Sequence, residues 1–589
     1  MAPARRAQPS SISVPPPAPA AALVDLPPIA ALFLIDFDVK AGYTIVWKQS
    51  TPGLELEGLV EYKSLPSGLH TVSDDLIYFV HDGAHAGLSA FVNEPCEEEE
   101  ARHARMIANR NQTEILEKYW DSNKAKEGET FSTVNTPLSP VPDQLRKTHG
   151  RHSSLTDGVS LFQPEHKLSP YHPAWSLAEL LDSFGPLIFP IHRAALLRQR
   201  ILISCHAPVH EICNFVYNIS ILSNIPLSIT DSLPTPSPPQ RLRPLFSIGV
   251  HDISFLMDDL KASKRDRSDE SAVDDADESG SGWIACTTDS ILATKDTLWD
   301  MLITMPPDYS ANAKDKVWPV VEYAGGKIVK ATQRDLRRFN ALRTGLARLA
   351  AIAPTAPVGQ DPRSPESETS AVRLSTGHSA RVVKDEPYGA ADKLIEPVTW
   401  AAFAYNGFMW WASAGEQIRS EEQEESTRDA ALLADLLFPA SPRGSMSLPP
   451  SASPLQSEPL SNSIASLAGR RGSVDGEANI ELAIITYFHR LTTQMLSVMV
   501  DIVDAADETY RDNDEGDDEN DENEDLIPNG GDDSDLSAIT IDSRSIETMG
   551  LDVWSASDAF FVQELAAVYF GRQAVIEGKG VEVCGVRVC

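Results

Sequence analysis

The spacing of hydrophobic residues changes several times along the chain, and each change marks a predicted element. From Ile29 the sequence "IAALFLIDFDV" is followed by "GYTIVWKQ", in which large apolar side chains recur at every second position. This period of two is typical of a half-buried strand. The two stretches therefore predict a pair of strands joined near "KAG".

A second hairpin is predicted in "DLIYFVHDGAHAGLSAFVNE", with its turn at Asp82-Gly83, because Asp-Gly between apolar runs favours a tight hairpin turn. Between the hairpins, apolar residues from Leu56 to Val60 have helical spacing, and Pro66 to Gly68 would end such a helix. A small sheet with helical cover is the expected structure of residues 29–125.

Strands and helices alternate in the next ordered part. A helix is predicted after Ser176, which forms a capping box with Glu179, and it would end at Gly185. A basic helix "IHRAALLRQR", a strand "ILISC" and a helix from Val209 to Leu222 follow. The stretches "LFSIGVHDISFLM", "GWIACTTDSIL" and "LWDMLITM" are consistent with buried strands. This alternation predicts an α/β domain.

Serine, proline and charged residues dominate between the ordered stretches, which predicts unfolded chain there. The expected organisation is a disordered start over 1–28, a first module over 29–125, a linker over 126–168, an α/β domain over 169–350 with a disordered insert at 261–281, a disordered stretch over 353–397, and a C-terminal region over 398–589 with disordered inserts at 438–478 and 507–540.

One long helix is predicted in the C-terminal region, from Ile480 to Val503. Its apolar stripe indicates a helix packed on a core, and the alternative is a helix lying on a membrane surface. The stripe consists of Ile484, Phe488, Leu491, Met495, Met499 and Ile502.

Charge and cysteine content narrow the classes of partner. The formal net charge of the 589 residues is −35, which disfavours nucleic acid as a partner through generic charge attraction. Ten of the fourteen residues from Asp512 to Asp525 are acidic, so one run supplies much of this excess. The six cysteines are sparse and unpatterned, as in a cytoplasmic protein with reduced thiols. No apolar run is long enough for a transmembrane segment.

The strongest candidate for a metal site is the segment "CHAPVHEIC", which contains Cys205, His206, His210 and Cys213. Sulfur and nitrogen ligands suit zinc, but the spacing matches no common zinc module. The alternative places Cys205 in a strand and Cys213 in a helix core. No metal and no cofactor is therefore assigned. The sequence also lacks a phosphate loop, a dinucleotide fingerprint and a nucleophile elbow, so we expect no covalent catalysis.

The segment "RRGSV" suits a basophilic kinase, which makes Ser473 a candidate phosphorylation site. Because it lies in a stretch predicted to be unfolded, a phosphate there would be accessible and would change the local charge.

Several long motifs resemble one protein family. "FDVKAGYTIVWKQ", "LPSGLHTVSDDLIYFVHDG", "AGLSAFVNE" and "ARHARMIA" are similar to the N-terminal longin-type module of the DENN domain-containing protein 11 family, the LCHN-type proteins. "HPAWSLAELLDSFGPLIFPIHRAALLRQRILI", "GWIACTTDSIL" and "TQRDLRRFNALR" resemble its DENN core, and "AYNGFMWWASAGE" and "VEVCGVRVC" resemble the C-terminal extension of fungal members. The resemblance implies an α/β fold with a longin-like α/β/α module, a DENN-core α/β domain and long disordered inserts.

The family implies a function that requires no nucleophile. The resemblance implies a guanine-nucleotide exchange factor for a Rab-type small GTPase in membrane traffic, and with it a cytoplasmic protein that is peripheral on endomembranes. Exchange is achieved by binding the GTPase in a nucleotide-free shape. The alternative is an adaptor that binds a small GTPase or a trafficking component without accelerating exchange.

By family analogy, the partner binds where the two modules meet. The candidate partner-binding residues are Leu65, Pro66, Ser67, Gly68 and His70, together with Arg193, Arg198 and Arg200 of the basic helix. The alternative interpretation of these residues is a structural turn and a solvated amphipathic helix.

The sequence departs from the family at one junction. In relatives, the segment that corresponds to "ARMIA" continues as an apolar strand with a following helix, whereas here Ala108 runs directly into Asn109. A strand and a helix are therefore expected to be missing, as in a splice variant or a faulty gene model. Such a loss would leave a sheet edge unpaired.

Overall fold

The chain divides into two compact units in the computed structural model. The first unit comprises Met1–Glu61 and Pro95–Asn135, and the second comprises Tyr62–Glu94 and Thr136–Cys589. The structure describes residues 28–38, 42–81, 85–93, 113–125, 172–234, 238–266, 281–307, 310, 316–352, 391–413, 415–433, 479–514, 538–579, 582–583 and 586–587.

The first unit contains a two-stranded antiparallel sheet. Its strands are β1 (Ala31–Asp38) and β2 (Gly42–Ser50), and their pairing confirms the first predicted hairpin. The one-turn helix α1 (Val60–Lys63) crosses the boundary between the units, and α2 covers residues 113–123. The Ile29 amide donates to the Asn123 carbonyl at 2.8 Å, so the chain before β1 is attached to the end of α2.

An eight-stranded mixed sheet forms the centre of the second unit. Its strands are β3 (Asp74–His81), β4 (His85–Val92), β5 (Ile201–Ser204), β6 (Arg243–Ser247), β7 (Trp283–Thr287), β8 (Met301–Thr304), β9 (Val320–Tyr323) and β10 (Lys327–Ile328). The spatial order is β10-β9-β8-β5-β7-β6-β3-β4. The four middle strands are parallel, and the pairs at both edges are antiparallel.

Both faces of the parallel strands are buried, as the continuous apolar runs of these strands require. Successive residues of β5 alternate between two cores, because Ile201 and Ile203 belong to the larger core and Leu202 to the smaller one. Helices cover both faces. They are α3 (Leu177–Phe184), α4 (Ile188–Leu196), α5 (His210–Leu222), α6 (Leu227–Thr230), α7 (Ile253–Asp266), α8 (Ser290–Thr294) and α9 (Gln333–Ile352). The α/β fold is thereby confirmed.

The C-terminal region contains further helices. They are α10 (Trp400–Ser413), α11 (Glu416–Ala431), α12 (Asn479–Asp514), α13 (Ser543–Met549) and α14 (Ala556–Phe570). Helices α12, α13 and α14 contribute buried side chains to the larger core. Strands β11 (Ala538–Ile541) and β12 (Gln573–Ile576) pair in parallel, and β13 (Glu582–Val583) pairs with β14 (Val586–Arg587). In α12, the predicted stripe from Ile484 to Met499 is buried, which confirms a helix packed on a core.

The second hairpin, β3–β4, belongs to the larger unit. Phe79 of β3 pairs with Phe246 of β6, and Ile77 and Phe79 are almost fully buried. The structural division therefore passes through the predicted module 29–125, because the apolar face of β3 is covered by the second unit. The predicted turn at Asp82-Gly83 lies outside the described residues, as does most of each predicted disordered stretch. The ends of three of these stretches are ordered instead: residues 261–266 belong to α7, residues 391–394 form a 3-10 turn, residues 507–514 belong to α12 and residues 538–540 belong to β11.

Two local predictions are wrong. Ser176 makes no side-chain capping bond to α3, because its hydroxyl donates to the Pro173 carbonyl and it ends a 3-10 turn, Pro173–Ser176. In "LFSIGVHDISFLM" the strand ends at Ser247 and the chain enters α7 at Ile253. The apolar run is long enough for either element, and Gly249 marks the change.

No helix within the described ranges has both the length and the low charge needed to cross a bilayer.

Candidate partner-binding surface

The predicted binding segment Leu65–His70 lies in the loop between α1 and β3. Leu65 and Pro66 are half-buried, Ser67 is exposed and Leu69 is buried at 1% exposure. Gly68 has a φ of 89°, a left-handed conformation that glycine adopts without steric cost, and it begins the 3-10 turn Leu69–Thr71. The loop thus exposes Ser67 while Leu69 anchors it.

Asp289 fastens this loop to the carboxyl ends of two parallel strands. The Ser67 hydroxyl donates to Asp289 Oδ1 at 2.5 Å, and the Val250 amide donates to Oδ2 at 3.1 Å. The Asp289 amide in turn donates to the Thr287 hydroxyl at 3.1 Å. The carboxylate of Asp289 therefore connects the loop to the chain after β6, and the backbone amide of the same residue bonds to the end of β7.

An ion pair fixes the start of the same loop. Lys63 Nζ lies 2.8 Å from Asp252 Oδ1 and donates to the Val80 carbonyl at 2.9 Å. The Gly249 amide donates to Asp252 Oδ2 at 2.9 Å. Both charged side chains are largely buried, so the pair is better shielded from salt than a surface pair.

Exposed apolar and aromatic side chains surround Asp289. The Tyr62 ring stacks on His251 with centroids 4.2 Å apart, and Tyr62 is 47% exposed. Ile291 is 54% exposed, and Val250 is 38% exposed. We call this set the Asp289 surface, and its members are Tyr62, Ser67, Val250, His251, Asp289 and Ile291. An aromatic and aliphatic patch around a fixed carboxylate is suited to protein recognition.

Arg193, a predicted binding residue, is instead buried inside the second unit. Its two terminal nitrogens donate to the two carboxylate oxygens of Asp335 at 2.9 and 2.7 Å, and Nη2 lies 3.2 Å from Asp558 Oδ1. Burial alone lowers the pKa of Arg193, but the charges of the two aspartates outweigh burial and raise it. Arg193 therefore joins α4 to α9 and α14 and presents no charge to solvent.

The other two predicted arginines also have internal partners. Arg198 donates to the carbonyls of Pro239, Ala195, Ser223 and Gln240, and burial lowers its pKa. Arg200 pairs with Asp300, with Nη2 2.6 Å from Oδ1. These contacts differ from the solvated helix and from the exposed binding surface that the sequence suggested, because the charge of an arginine does not show whether it is buried.

The two predicted groups of binding residues lie near opposite ends of the parallel strands, one at the amino ends and one at the carboxyl ends. Arg200 precedes β5, whereas Asp289 follows β7, and β5 and β7 are parallel neighbours. The structure therefore does not bring the arginines to the Asp289 surface. The role of Leu65–Gly68 in binding stays a prediction, while the side chain of His70 and all of Ser473 lie outside the described residues.

The cysteines of "CHAPVHEIC" do not converge with its histidines. Cys213 is buried in α5 with its sulfur 3.7 Å from that of Cys286, and the Cys205 thiol donates to the Thr287 carbonyl. His206 is exposed, and His210 stacks on Tyr78. Within the described residues, no group of three or more potential ligands is placed to hold a metal ion.

Most of the Asp289 surface was not predicted from the sequence. Tyr62, His251 and Ile291 come from three separate segments. Asp289 and Ile291 lie in "GWIACTTDSIL", which indicated the family but was interpreted as a buried strand. The available signal was the position of Asp289, since polar residues directly after parallel strands gather at one edge of a sheet.

Comparison with known proteins gives two family matches. The model described as DENN domain-containing protein 11 matches residues 32–109 and 107–315, and a domain of unknown function, DUF4484, matches residues 395–589. The two segments of the first match meet at 107–109, where the sequence departs from the expected pattern. No solved structure matches the chain significantly.

Curated relatives agree with the first match. DENN domain-containing protein 11 of Xenopus laevis is 31% identical over 308 residues, which cover 48% of this chain and 63% of the relative. The Mus musculus protein of the same name is 29% identical over 335 residues, which cover 54% of this chain and 64% of the relative. The match thus spans less than two thirds of either animal protein.

A yeast relative matches over a much longer range. The uncharacterized protein ANR2 of Saccharomyces cerevisiae is 20% identical over 593 residues, which cover 93% of this chain and 92% of the relative. The match therefore includes the C-terminal helices that pack on the larger core. Together with the family model and the animal relatives, it shows that this chain belongs to the DENN domain-containing protein 11-like family.

Proposed function

We propose that this protein is a guanine-nucleotide exchange factor for a Rab-type small GTPase, and that the GTPase binds at the Asp289 surface. Family membership supports the class of activity, because DENN-domain proteins are known generally as exchange factors for Rab GTPases. The proposal places the protein in the cytoplasm, peripheral on endomembranes.

The observation that supports this surface is the exposure of Tyr62, Val250 and Ile291 around Asp289, whose carboxylate accepts two hydrogen bonds and whose amide donates a third. Apolar side chains on a rigid base lose little conformational entropy when a partner binds. Exchange needs only that this surface bind the nucleotide-free GTPase more tightly than the nucleotide-bound form. Nucleotide and magnesium belong to the GTPase.

The test measures release of fluorescent GDP from a panel of Rab-type GTPases with the full chain. Ile291→Glu places a charge within the proposed surface, so kcat/KM for the responding GTPase should fall by about tenfold or more. The matched control is Ile328→Glu, because Ile328 is 60% exposed on β10, an edge strand at the other side of the sheet.

Each outcome has a distinct meaning. Equal losses in the two variants would contradict the assignment of the surface but not the activity. If no GTPase releases GDP faster while one is retained in a pull-down, the protein is an adaptor and the exchange proposal is wrong.

A further inference from the structure

Helix α10 is apolar but mostly exposed. Its fourteen residues, Trp400–Ser413, include no charged side chain, and only Ala402 and Tyr405 are buried. A helix that is hydrophobic all round is ordinarily buried in a core or in a membrane. Among the described residues, nothing covers the outward side of α10 to the extent that its composition requires.

The exposed aromatic residues share one side of α10. At 100° per residue, Trp400, Phe403, Trp410 and Trp411 fall within a stripe about 100° wide. Their exposures are 85%, 66%, 66% and 76%. We call these four residues the α10 aromatic face. The buried residues Ala402 and Tyr405 lie on the opposite side of the helix, so the exposure is a consistent property of one face.

Contacts on the inner side fix the orientation of α10. The Tyr405 ring lies 5.2 Å from the ring of Trp554, and Lys579 Nζ lies 4.8 Å from the Tyr405 ring centroid. Lys579 is in turn held by Glu547 at 2.7 Å. Because the inner side is packed and ion-paired, the aromatic face is directed outward.

The neighbouring helix decides which kind of surface suits this face. Helix α11 packs on α10 and contains five glutamates, Glu416, Glu421, Glu422, Glu424 and Glu425, against Arg419 and Arg428. Basic clusters attract peripheral proteins to anionic lipids, and this acidic helix has the opposite effect. The acidic helix therefore favours a neutral lipid surface over an anionic one, and the charge-free aromatic stripe matches the interface of such a surface.

We propose that the α10 aromatic face inserts into the interface of a zwitterionic, phosphatidylcholine-rich lipid surface. Tryptophan suits this depth because its ring is apolar while its N–H donates to polar lipid groups. The driving force is burial of apolar area, so binding does not depend on anionic lipid. This inference is independent of the proposed exchange activity.

The test is cosedimentation of the full chain with phosphatidylcholine vesicles. The wild-type chain binds, and the double variant Trp410→Ala, Trp411→Ala binds at least about tenfold more weakly, since each indole contributes a large buried area. Phe560→Ala is the matched control, because Phe560 is an aromatic residue of α14 with 53% exposure. It binds like the wild-type chain. Replacing part of the phosphatidylcholine by phosphatidylserine weakens binding.

The proposal would be overturned by failure of the wild-type chain to bind phosphatidylcholine vesicles, by equal binding of the double variant, or by binding that requires phosphatidylserine. Self-association that the double variant abolishes would assign the face to a second copy instead, and salt-sensitive binding to a basic protein would assign it to a protein partner. GDP release measured without vesicles is unchanged in the double variant, which separates this proposal from the exchange activity.

Discussion

At the scale of single residues, one guanidinium is shared unequally between two buried carboxylates. Asp335 receives both short bonds from Arg193, whereas Asp558 has a single approach at 3.2 Å and accepts from the Asp552 amide at 2.8 Å. Burial raises the pKa of Asp558 to about 7, although Arg193 opposes this rise. For Asp335, burial is the largest effect and raises the pKa, but Arg193, the Thr332 amide and Arg338 together outweigh it and lower the pKa.

Asp558→Asn tests this inequality through the pH dependence of stability. Because the folded pKa of Asp558 is raised, the folded protein binds this proton more tightly than the unfolded chain does. The free energy of unfolding therefore decreases as pH rises from about 4 through 7. The stability of the wild-type chain relative to the variant should therefore decrease between pH 5 and pH 8 by on the order of a few kcal/mol. Urea unfolding at several pH values measures this difference. A difference that stays constant with pH would contradict the raised pKa.

The strand pairing of β3 and β4 illustrates the scale of elements. Asp75 at the start of β3 accepts hydrogen bonds from the Val209 and His210 amides, which attaches the hairpin to the first turn of α5. Phe79 pairs with Gly87 across the hairpin, and its ring covers the glycine. A side chain at Gly87 would meet a ring that has no room to move, because Phe79 is only 1% exposed.

Gly87→Ala should therefore destabilise the protein. The added Cβ would lie 2.3–2.7 Å from three atoms of the Phe79 ring, and overpacking of this kind costs about 1–3 kcal/mol. Gly407→Ala is the matched control, because nothing lies within 4 Å of its added Cβ and glycine in a helix is less stable than alanine by about 0.5–1 kcal/mol. Equal free energies of unfolding for the two variants would show that the ring is not fixed.

At the scale of the second unit, a buried ionic cluster makes the C-terminal helices part of the core. Asp429 of α11 accepts bidentate bonds from Arg334 at 2.7 and 2.8 Å, and Arg338 Nε lies 3.4 Å from the same carboxylate. Burial by itself raises the pKa of Asp429, but the two arginines lower it. Asp429 connects α9, and Asp558 connects Arg193 of α4, to the region matched by the second family model.

Asp429→Ala would leave two arginines buried without their carboxylate. Removing one partner of a buried pair costs about 3–5 kcal/mol, so the free energy of unfolding should fall by this amount and α11 should become sensitive to limited proteolysis. The control is Asp507→Ala, which breaks the partly exposed Arg572–Asp507 pair and should cost less than about 1 kcal/mol. Equal losses would contradict a special role for the buried cluster.

The local pattern of hydrophobic residues was sufficient to predict most of the helices and strands. The period of two predicted β1 and β2, and the stripe from Ile484 to Met499 predicted the buried face of α12, because both periods are imposed by backbone geometry within one segment. The capping box at Ser176 failed because a 3-10 turn and the Pro173 carbonyl competed for the same side chain. The motifs also indicated the family, which the comparisons confirmed.

Only the tertiary structure decided which side chains are available to a partner. Arginine is most often a surface residue. Arg193 is buried because its partner Asp335, 142 residues further along the chain, packs against it. The Asp289 surface likewise combines three distant segments, and the α10 aromatic face has the sequence of a buried helix. Sequence determines the period and charge of each segment, because these depend on neighbours along the chain. Burial depends on which segments meet, and that is decided by long-range packing.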